Sequence, residues 1–382
     1  MSIDFAAAFQ SAPGLTHLNN AGLSPISVRA AAVMHHWIER YRAEGMFCND
    51  AYLEAVAQAR RQLAQFLDAE AGEIAFFQSV AGAVSQMAFQ CGLQAGDEVL
   101  MWDQEYGSHL YPWQAACRQT GAQLQLVSST AEMGTPVDRL LAQISERTRV
   151  IAISWVQFQT GALCELEPLA TVCQKRGIRL IVDAFQGIGV LPFSFRKSGV
   201  DAIVGGSHKW MCSAVGVGYL CIRNEFAARL QPHNIGSYTY GTCDDPTDLS
   251  CTPKRDALRF EAGSKQVLEI LSLGEAARLL EESGLSKVSA RALAFSQELA
   301  DGLESLGYQR IASNGKRQST PHLNIIPSEK SPYKDLQAMV GALDKARISY
   351  ARRGPGLRFA PHAHNNEADI QRCLEVLSGK TS

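Results

Sequence analysis

The chain has 382 residues, of which 46% are hydrophobic and 19% charged, and its 36 basic against 38 acidic residues leave a formal charge of −2. This balance provides no basic surface for nucleic acid or an anionic membrane, and the apolar content excludes a disordered chain. The length is enough for a two-domain enzyme with a large buried core. We therefore expect a globular α/β protein.

Ten cysteines are scattered along the chain, with no C-x-x-C pair of the kind that zinc or redox sites use. They are too sparse for a disulfide scaffold, so reduced thiols are expected. The N-terminus carries an acid and no basic cluster before its short apolar patch, which makes it a poor signal peptide. No apolar stretch approaches the ~20 residues needed to cross a bilayer. We expect a cytoplasmic protein that does not bind membranes.

The first 20 residues form an N-terminal segment rich in loop residues, and two helices follow it. Ser27 is a typical N-cap and precedes a helix predicted over about Val28–Ala43. A second helical pattern covers about Ala51–Leu67.

Short apolar runs then alternate with helical stretches as far as residue 255. The predicted strands are Ile74–Phe77, Glu98–Trp102, Leu124–Val127, Val150–Trp155, Leu180–Val182, Ala202–Val204 and Val217–Ile222. Continuous apolar strands separated by helices indicate a mostly parallel seven-stranded sheet that is covered on both faces. We place a large domain over residues 21–255.

The remainder of the chain, residues 256–382, predicts a smaller α+β domain. A polar, irregular stretch over Thr239–Asp256 precedes it and is interpreted as a linker or an active-site flap. The predicted elements are helices at about Lys265–Glu282, Leu285–Leu306 and Glu367–Leu377, and strands near His322–Ile326 and Gly356–Phe359.

The richest segment for chemistry follows two neighbouring strands of the predicted sheet. Asp183 ends one strand, and His208 and Lys209 come just after the next. Ligands of open α/β sheets collect at the carboxyl ends of the strands, so these residues should meet. Pyridoxal phosphate requires such a pair, because a lysine binds its aldehyde as a Schiff base and a carboxylate keeps its ring nitrogen protonated.

Several motifs in order along the chain resemble those of the class V aminotransferase-like enzymes. They are His17-Leu-Asn-Asn-Ala-Gly22, Val182-Asp-Ala-Phe-Gln-Gly-Ile-Gly189, Gly205-Gly-Ser-His-Lys-Trp210, Phe260-Glu-Ala-Gly-Ser264 and Leu357-Arg-Phe-Ala-Pro-His-Ala-His-Asn365. That family includes cysteine desulfurases, selenocysteine lyases, cysteine C–S lyases, kynureninase and isopenicillin-N epimerase. The resemblance implies pyridoxal phosphate as cofactor and the type I fold of its transferases, with a large sheet domain and a smaller C-terminal domain.

The resemblance also implies roles for individual residues around the cofactor. Lys209 would bind the aldehyde, Asp183 would pair with the ring nitrogen, and Gln186 would hydrogen-bond the phenolic oxygen. His208 would reach the phosphate. The phosphate cradle matches Val80 and Ala81, where the family often has threonine, so the backbone amides at this helix N-terminus would do more of the binding.

Three further positions match the family's pattern. Tyr106 occupies the position of the ring that stacks on the cofactor, which is usually histidine in desulfurases. Ser264 matches a residue that reaches the phosphate from the partner subunit, which implies a homodimer. Arg358 matches the arginine that binds the α-carboxylate of a small amino-acid substrate, a role suited to its bidentate guanidinium.

Departures from the family's pattern are informative about the reaction. Desulfurases carry a nucleophilic cysteine shortly before the substrate-binding arginine, but Tyr350–Gly356 is a short loop without one. Cys373 falls on the last helix, and Cys243 and Cys251 match no motif. Phe158 stands where the family frequently has an asparagine near the substrate. We therefore expect C–S lyase or related β-elimination chemistry that uses no persulfide.

Other functions stay open at this point. A class V aminotransferase or an amino-acid epimerase would use the same residues, and a catalytically silent relative would keep the fold without the reaction. A nicotinamide-dependent oxidoreductase is disfavoured, because no G-x-G-x-x-G follows the first strand. The pairs His362/His364 and His35/His36 have poor zinc geometry without further ligands, so no metal site is predicted.

Overall fold

The computed structural model describes residues 3–241, 250–311 and 319–380. Its α-helices are α1 (Val28–Glu44), α2 (Asn49–Leu67), α3 (Val80–Gln90), α4 (Gly107–Thr120), α5 (Val137–Gln143), α6 (Leu166–Arg176), α7 (Phe195–Ser198), α8 (Asn224–Ala227), α9 (Val267–Ser283), α10 (Leu285–Ser305), α11 (Leu336–Lys345) and α12 (Glu367–Leu377). None of the helices within these ranges is long and apolar enough to cross a membrane.

The strands form one large sheet and two small ones. They are β1 (Thr16–His17), β2 (Ile74–Phe77), β3 (Glu98–Trp102), β4 (Gln123–Val127), β5 (Thr148–Ser154), β6 (Arg179–Asp183), β7 (Ala202–Gly206), β8 (Gly218–Ile222), β9 (Gln309–Arg310), β10 (Leu323–Ile326), β11 (Ile348–Ser349), β12 (Ala351–Arg353) and β13 (Gly356–Phe359).

The large sheet has seven strands in the order β2-β8-β7-β6-β5-β3-β4. Strand β8 runs antiparallel to both of its neighbours, and the other pairs are parallel. The predicted fold class, a mostly parallel seven-stranded sheet with a smaller α+β part, is therefore confirmed.

Both faces of this sheet are covered, as continuous apolar strands require. Leu180 and Val182 of β6 point into one hydrophobic cluster, and Ile181 between them points into a second cluster on the other face. Side chains alternate along a strand, so one apolar run supplies both cores.

The C-terminal part contains the second small sheet, a four-stranded antiparallel sheet in the order β12-β13-β10-β9. It packs with α10, α11 and α12 around a third hydrophobic cluster. Helix α9, in contrast, packs against α1 and α2 in the core of the large sheet. The domain boundary at residue 256 stays a prediction.

Two expectations from the sequence need correction. The segment Tyr350–Gly356 is largely not a loop, because β12 pairs with β13 in a hairpin whose turn contains Gly354-Pro355. Among the described cysteines eight are free thiols, but Cys251 is disulfide-bonded, so the expectation of reduced thiols is wrong there. Cys243 and part of the predicted flap over Thr239–Asp256 lie outside the described residues.

Candidate active site

A cavity of about 330 Å³ lies at the carboxyl ends of the parallel strands of the large sheet. The loops after β2, β3, β6 and β7 contribute to its walls, as expected for an open α/β sheet. The predicted site residues that line it are Val80, Ala81, Tyr106, Asp183, Gln186, His208, Lys209 and Arg358. The topology thus brings together residues that are far apart in the sequence.

Lys209 lies on the loop that connects β7 to β8. The loop is held by hydrogen bonds, among them one from Ser207 Oγ to the Val217 carbonyl (3.1 Å) and one from the Cys212 amide to the Lys209 carbonyl (2.9 Å). Burial of the Lys209 amine lowers its pKa to about 7, against the opposing effect of Asp183 and with a further lowering by Arg358. A lysine in this state is a nucleophile and a base near neutral pH.

Two aromatic rings lie under the Lys209 amine. Its Nζ is 3.9 Å from the ring centroid of Phe185 and 5.9 Å from that of Tyr106. Tyr106 is about half exposed and immediately precedes α4. Phe185 belongs to the Val182–Gly189 motif, but the sequence predicts no role for it. Its position two residues after Asp183, just past the strand end, is the signal that could have identified it.

Asp183 is buried at the end of β6, where its Oδ1 accepts a hydrogen bond from the Phe185 amide (2.9 Å). Its Oδ2 lies 3.8 Å from Nδ1 of His109, a fully buried imidazole on α4 whose two ring nitrogens have no hydrogen-bond partner. Glu105, just before the start of α4, accepts hydrogen bonds from the Ser154 amide (2.8 Å) and from Gln157 Nε2 (3.0 Å). Burial raises the pKa of Glu105. Sequence reasoning missed this group of residues behind Asp183.

Gln186 is fixed by residues from three parts of the chain. Its Oε1 accepts hydrogen bonds from Trp210 Nε1 (3.3 Å) and from His322 Nε2 (3.0 Å), and its Nε2 donates to the Ala21 carbonyl (3.1 Å). These partners fix the orientation of the Gln186 amide, because the oxygen must face the two donors and the nitrogen must face the Ala21 carbonyl.

The N-terminus of α3 supplies hydrogen-bond donors to the cavity. Ser79 caps the helix through a hydrogen bond from the Gly82 amide (3.2 Å), which leaves the first amides, those of Val80 and Ala81, without an intrahelical acceptor. The backbone of β8 approaches closely here, since a Cβ on Gly218 would lie 2.6 Å from the Val80 nitrogen. Only glycine fits at that position.

His208 offers one more donor or acceptor, because its buried Nδ1 has no partner. Burial, reinforced by Lys209, lowers the pKa of His208 to about 4, so its ring is neutral at pH 7. Its ring packs edge-on against Phe185, with centroids 5.0 Å apart.

Arg358 on β13 is fully buried in the wall of the cavity. It donates to the Phe158 carbonyl (2.5 Å) and to Asn19 Oδ1 (3.1 Å). Burial and the charge of Arg353 lower its pKa to about 9, which still leaves it cationic at neutral pH. Arg353 also lines the cavity and was not singled out from the sequence.

Ser264 is the predicted residue that does not line this cavity. It lies beside a separate groove that it shares with Ser79 and Gly82, next to the start of α3. Its role toward a partner's cofactor stays a prediction.

These residues fit pyridoxal phosphate. The cavity presents a lysine amine over aromatic rings, a carboxylate at a strand end, and unpartnered donors at α3 and His208 that suit a phosphate. Over the three described ranges, no group of three or more His, Cys, Asp or Glu side chains is arranged to hold a metal ion.

Sequence comparison places this arrangement among known proteins. Residues 17–356 match the family Aminotransferase class-V. An uncharacterized aminotransferase of Bacillus subtilis is 24% identical over 86% of this chain and 85% of its own. A probable cysteine desulfurase of Aeropyrum pernix is 25% identical over 91% of this chain and 85% of its own. An isopenicillin N epimerase of Amycolatopsis lactamdurans is 26% identical over 84% of this chain and 83% of its own.

Solved structures show the same fold. An apo cysteine desulfurase from Thermococcus onnurineus superimposes with a TM-score of 0.86 at 20% identity, covering 96% of this chain and 94% of that one. A cystine C–S lyase in complex with cysteine persulfide gives a TM-score of 0.87 at 21% identity, covering 96% and 98%. The chain therefore belongs to the class V aminotransferase family and is a pyridoxal-phosphate-dependent enzyme.

Proposed function

We propose that this enzyme cleaves the bond between Cβ and sulfur of a small amino acid by β-elimination, without a cysteine that accepts the sulfur. In the balanced reaction the substrate and one water give a thiol, a 2-oxo acid and ammonia. The proton leaves Cα, and the electron pair of the Cα–H bond forms the Cα–Cβ double bond as the sulfur departs with the electrons of the Cβ–S bond.

The observation that carries the proposal is that the described part of the site contains no thiol. No cysteine is among the described residues that line the cavity. The β12–β13 hairpin fills the position before Arg358 where a sulfur-accepting cysteine would be expected. Cys373 is fully buried on α12, and burial raises the pKa of its thiol, which makes it a poor nucleophile.

Each residue of the cavity would have a separate role in this reaction. Bound pyridoxal phosphate supplies an electron-accepting ring. Lys209 would accept the Cα proton, since its amine has a pKa close to neutral and is available as a base. Arg358 would hold the α-carboxylate through its guanidinium and so orient the Cα–H bond. The carboxylate of Asp183 would hold a proton on the ring nitrogen of the cofactor.

The comparisons support this class of reaction and define its alternatives. Relatives and structural neighbours named as cysteine desulfurases and as a cystine C–S lyase act on carbon–sulfur bonds. An aminotransferase and an epimerase among the relatives would use the same proton transfer at Cα. The products distinguish the three reactions.

The test is a product assay with the holoenzyme, free cysteine and a set of cysteine S-conjugates. We expect thiol, 2-oxo acid and ammonia in equal amounts, and no product from Lys209→Ala. A 2-oxo acid without ammonia would identify a transaminase, and inversion of Cα without a 2-oxo acid would identify an epimerase. Release of alanine from free cysteine, with the sulfur left on the enzyme as a persulfide, would identify a desulfurase. Each of these results would overturn the lyase proposal.

We further propose that the enzyme is a homodimer in the cytoplasm in which Ser264 serves the partner's site. Two exposed apolar side chains between α1 and α2 support an interface, since Phe47 is 98% and Met46 81% exposed. Light scattering after size-exclusion chromatography should give twice the monomer mass. Ser264→Ala should weaken cofactor binding in the dimer, and a monomeric wild type would contradict this part of the proposal.

A further inference from the structure

The β12–β13 hairpin places two arginines on the same face. Ala351 lies opposite Arg358 in the antiparallel register, and Arg353 lies opposite Gly356. Residues two apart on a strand share a face, so Arg353 points to the same side as Arg358. Arg352, between them, points to the other side and donates to Gln337 Oε1 (2.8 Å).

Both guanidiniums line the active-site cavity, and their partners are all neutral. Arg358 binds only carbonyl oxygens, and Arg353 donates to the Arg352 carbonyl (2.8 Å). In the part of the chain that the structure describes, neither arginine is in a salt bridge, and the Nε atoms of both are buried without a hydrogen-bond partner. The protein thus supplies no acceptor for these two Nε donors.

The cavity has an excess of positive charge. Asp183 is the single acid among its described lining residues, against Lys209, Arg353 and Arg358. The charge of Arg353 lowers the pKa of both Lys209 and Arg358, so the two arginines repel one another across the cavity. A bound anion offsets repulsion of this kind.

Phe158 contacts both arginines. Its carbonyl accepts from Arg358, and its ring lies 5.8 Å from Cζ of Arg353. The same ring packs edge-on against Tyr106, with centroids 5.1 Å apart. Phe158 thus joins both arginines and Tyr106 in one wall of the cavity.

We propose that Arg353 forms a second anion subsite and that the substrate is an amino acid whose side chain ends in an acidic group, such as a carboxylate. This inference rests on the proposed function for one step, the assignment of the α-carboxylate to Arg358. Arg353 is then a specificity-determining residue, because it contacts the substrate beyond the bond that breaks.

Binding of ligands that cannot react tests the subsite directly. Glutarate and its monoamide, glutaramate, have the same shape and differ by one charge. Titration of the holoenzyme should show glutarate binding about tenfold or more tightly than glutaramate, the value of a charge-assisted hydrogen bond. Arg353→Gln should bring the two affinities within about twofold, and Arg352→Gln, the matched control on the other face, should leave the wild-type ratio. Arg353→Lys should give a ratio between those of the wild type and Arg353→Gln, because lysine keeps the positive charge but cannot form the bidentate hydrogen bonds of a guanidinium.

Three outcomes would overturn the subsite. The wild type could bind both ligands equally, or Arg353→Gln could retain the tenfold ratio. Arg353→Gln could also weaken both ligands alike, which would mean that both arginines hold one carboxylate.

The reaction is tested separately with S-carboxymethylcysteine and its amide, S-carbamoylmethylcysteine. Preference for glutarate without 2-oxo acid from either conjugate would keep the subsite and overturn the lyase. Equal turnover of the two conjugates, with KM unchanged by Arg353→Gln, would overturn the subsite and keep the lyase.

Discussion

The amine of Lys209 lies 3.9 Å from the ring centroid of Phe185, over its face. An aromatic face attracts a cation only modestly, while the loss of water around a buried ammonium strongly favours the neutral amine. The effect of burial is the larger one here, and the pKa of Lys209 falls from 10.5 to about 7. A substantial fraction of Lys209 is therefore neutral near pH 7 before any cofactor binds.

We expect covalent attachment of pyridoxal phosphate to the apoenzyme to follow this ionisation. Only the neutral amine attacks an aldehyde, so the attachment rate should rise with pH up to about 7 and level off above it. Below the midpoint the rate should fall about tenfold per pH unit. Stopped-flow absorbance of the cofactor across pH 5–9 measures it.

Asp183→Asn serves as the charge control for the same measurement. The carboxylate of Asp183 raises the pKa of Lys209, so its removal should move the midpoint to lower pH. Arg353→Gln should move it in the opposite direction, because Arg353 lowers the pKa of Lys209. A midpoint near 10.5 in the wild type, or identical midpoints in all three proteins, would contradict this account of the site.

The close contact between β8 and the start of α3 predicts a second effect. A Cβ on Gly218 would lie 2.5 Å from the carbonyl carbon of Ser79 and 2.6 Å from the Val80 nitrogen, both backbone atoms. Gly218→Ala should therefore displace the amides that face the phosphate, and the dissociation constant for pyridoxal phosphate should rise by about tenfold or more. Equilibrium dialysis measures the change.

Gly341→Ala is the matched control for this substitution. Gly341 lies inside α11, and a Cβ there would contact nothing within 4 Å. Alanine should leave cofactor binding unchanged and stabilise the helix by about 0.5–1 kcal/mol. Normal cofactor affinity in Gly218→Ala would mean that the N-terminus of α3 does not bind the phosphate.

The contrast between Asp183 and Arg353 shows how far the sequence can predict this site. Asp183 and Lys209 were predictable because each follows a continuous apolar strand, and parallel strands bring their carboxyl ends to one edge. The face that Arg353 takes was not predictable, because it depends on the register of a hairpin that was interpreted as a loop. A turn signal at Gly354-Pro355 is present in the sequence, but it does not fix which residue pairs with Arg358.

Side-chain contacts between distant parts of the chain could not be predicted from the sequence either. Gln186 could be assigned to the cavity from its distance after Asp183, but its hydrogen bond with His322 depends on how the C-terminal part packs. His109 gave no pattern, since a single histidine inside a helix is usually a core or surface residue. Its position beside Asp183 follows from the packing of α4 against the sheet.

A buried ion pair beside the Phe260–Ser264 motif predicts a large effect on stability. Arg60 and Glu261 are joined by two hydrogen bonds of 2.7 and 3.0 Å, with only 7% and 3% of their side chains exposed. Glu261→Gln leaves the Arg60 guanidinium buried without a counter-charge, so the free energy of unfolding should fall by about 3–5 kcal/mol. Urea denaturation of the apoenzyme measures this change.

Glu39→Gln provides the comparison for a pair in solvent. Its partner Arg42 is 71% exposed and Glu39 itself 64% exposed, with 2.8 Å between the charged atoms. The unfolding free energy of this variant should stay within about 0.5 kcal/mol of the wild type. Equal losses in the two variants would show that burial of the Arg60–Glu261 pair carries no special cost.

The thiol of Cys373 should be dispensable for catalysis although it is part of the core. Its side chain is fully buried in the third hydrophobic cluster, so Cys373→Ala should cost about 1 kcal/mol of stability. Thiol release from cysteine conjugates should keep the wild-type rate per folded molecule, whereas Lys209→Ala should abolish it. Mass spectrometry of the wild type during turnover of free cysteine should find no added sulfur on Cys373. A persulfide there, or a folded Cys373→Ala without turnover, would mean that the enzyme passes sulfur through a cysteine after all.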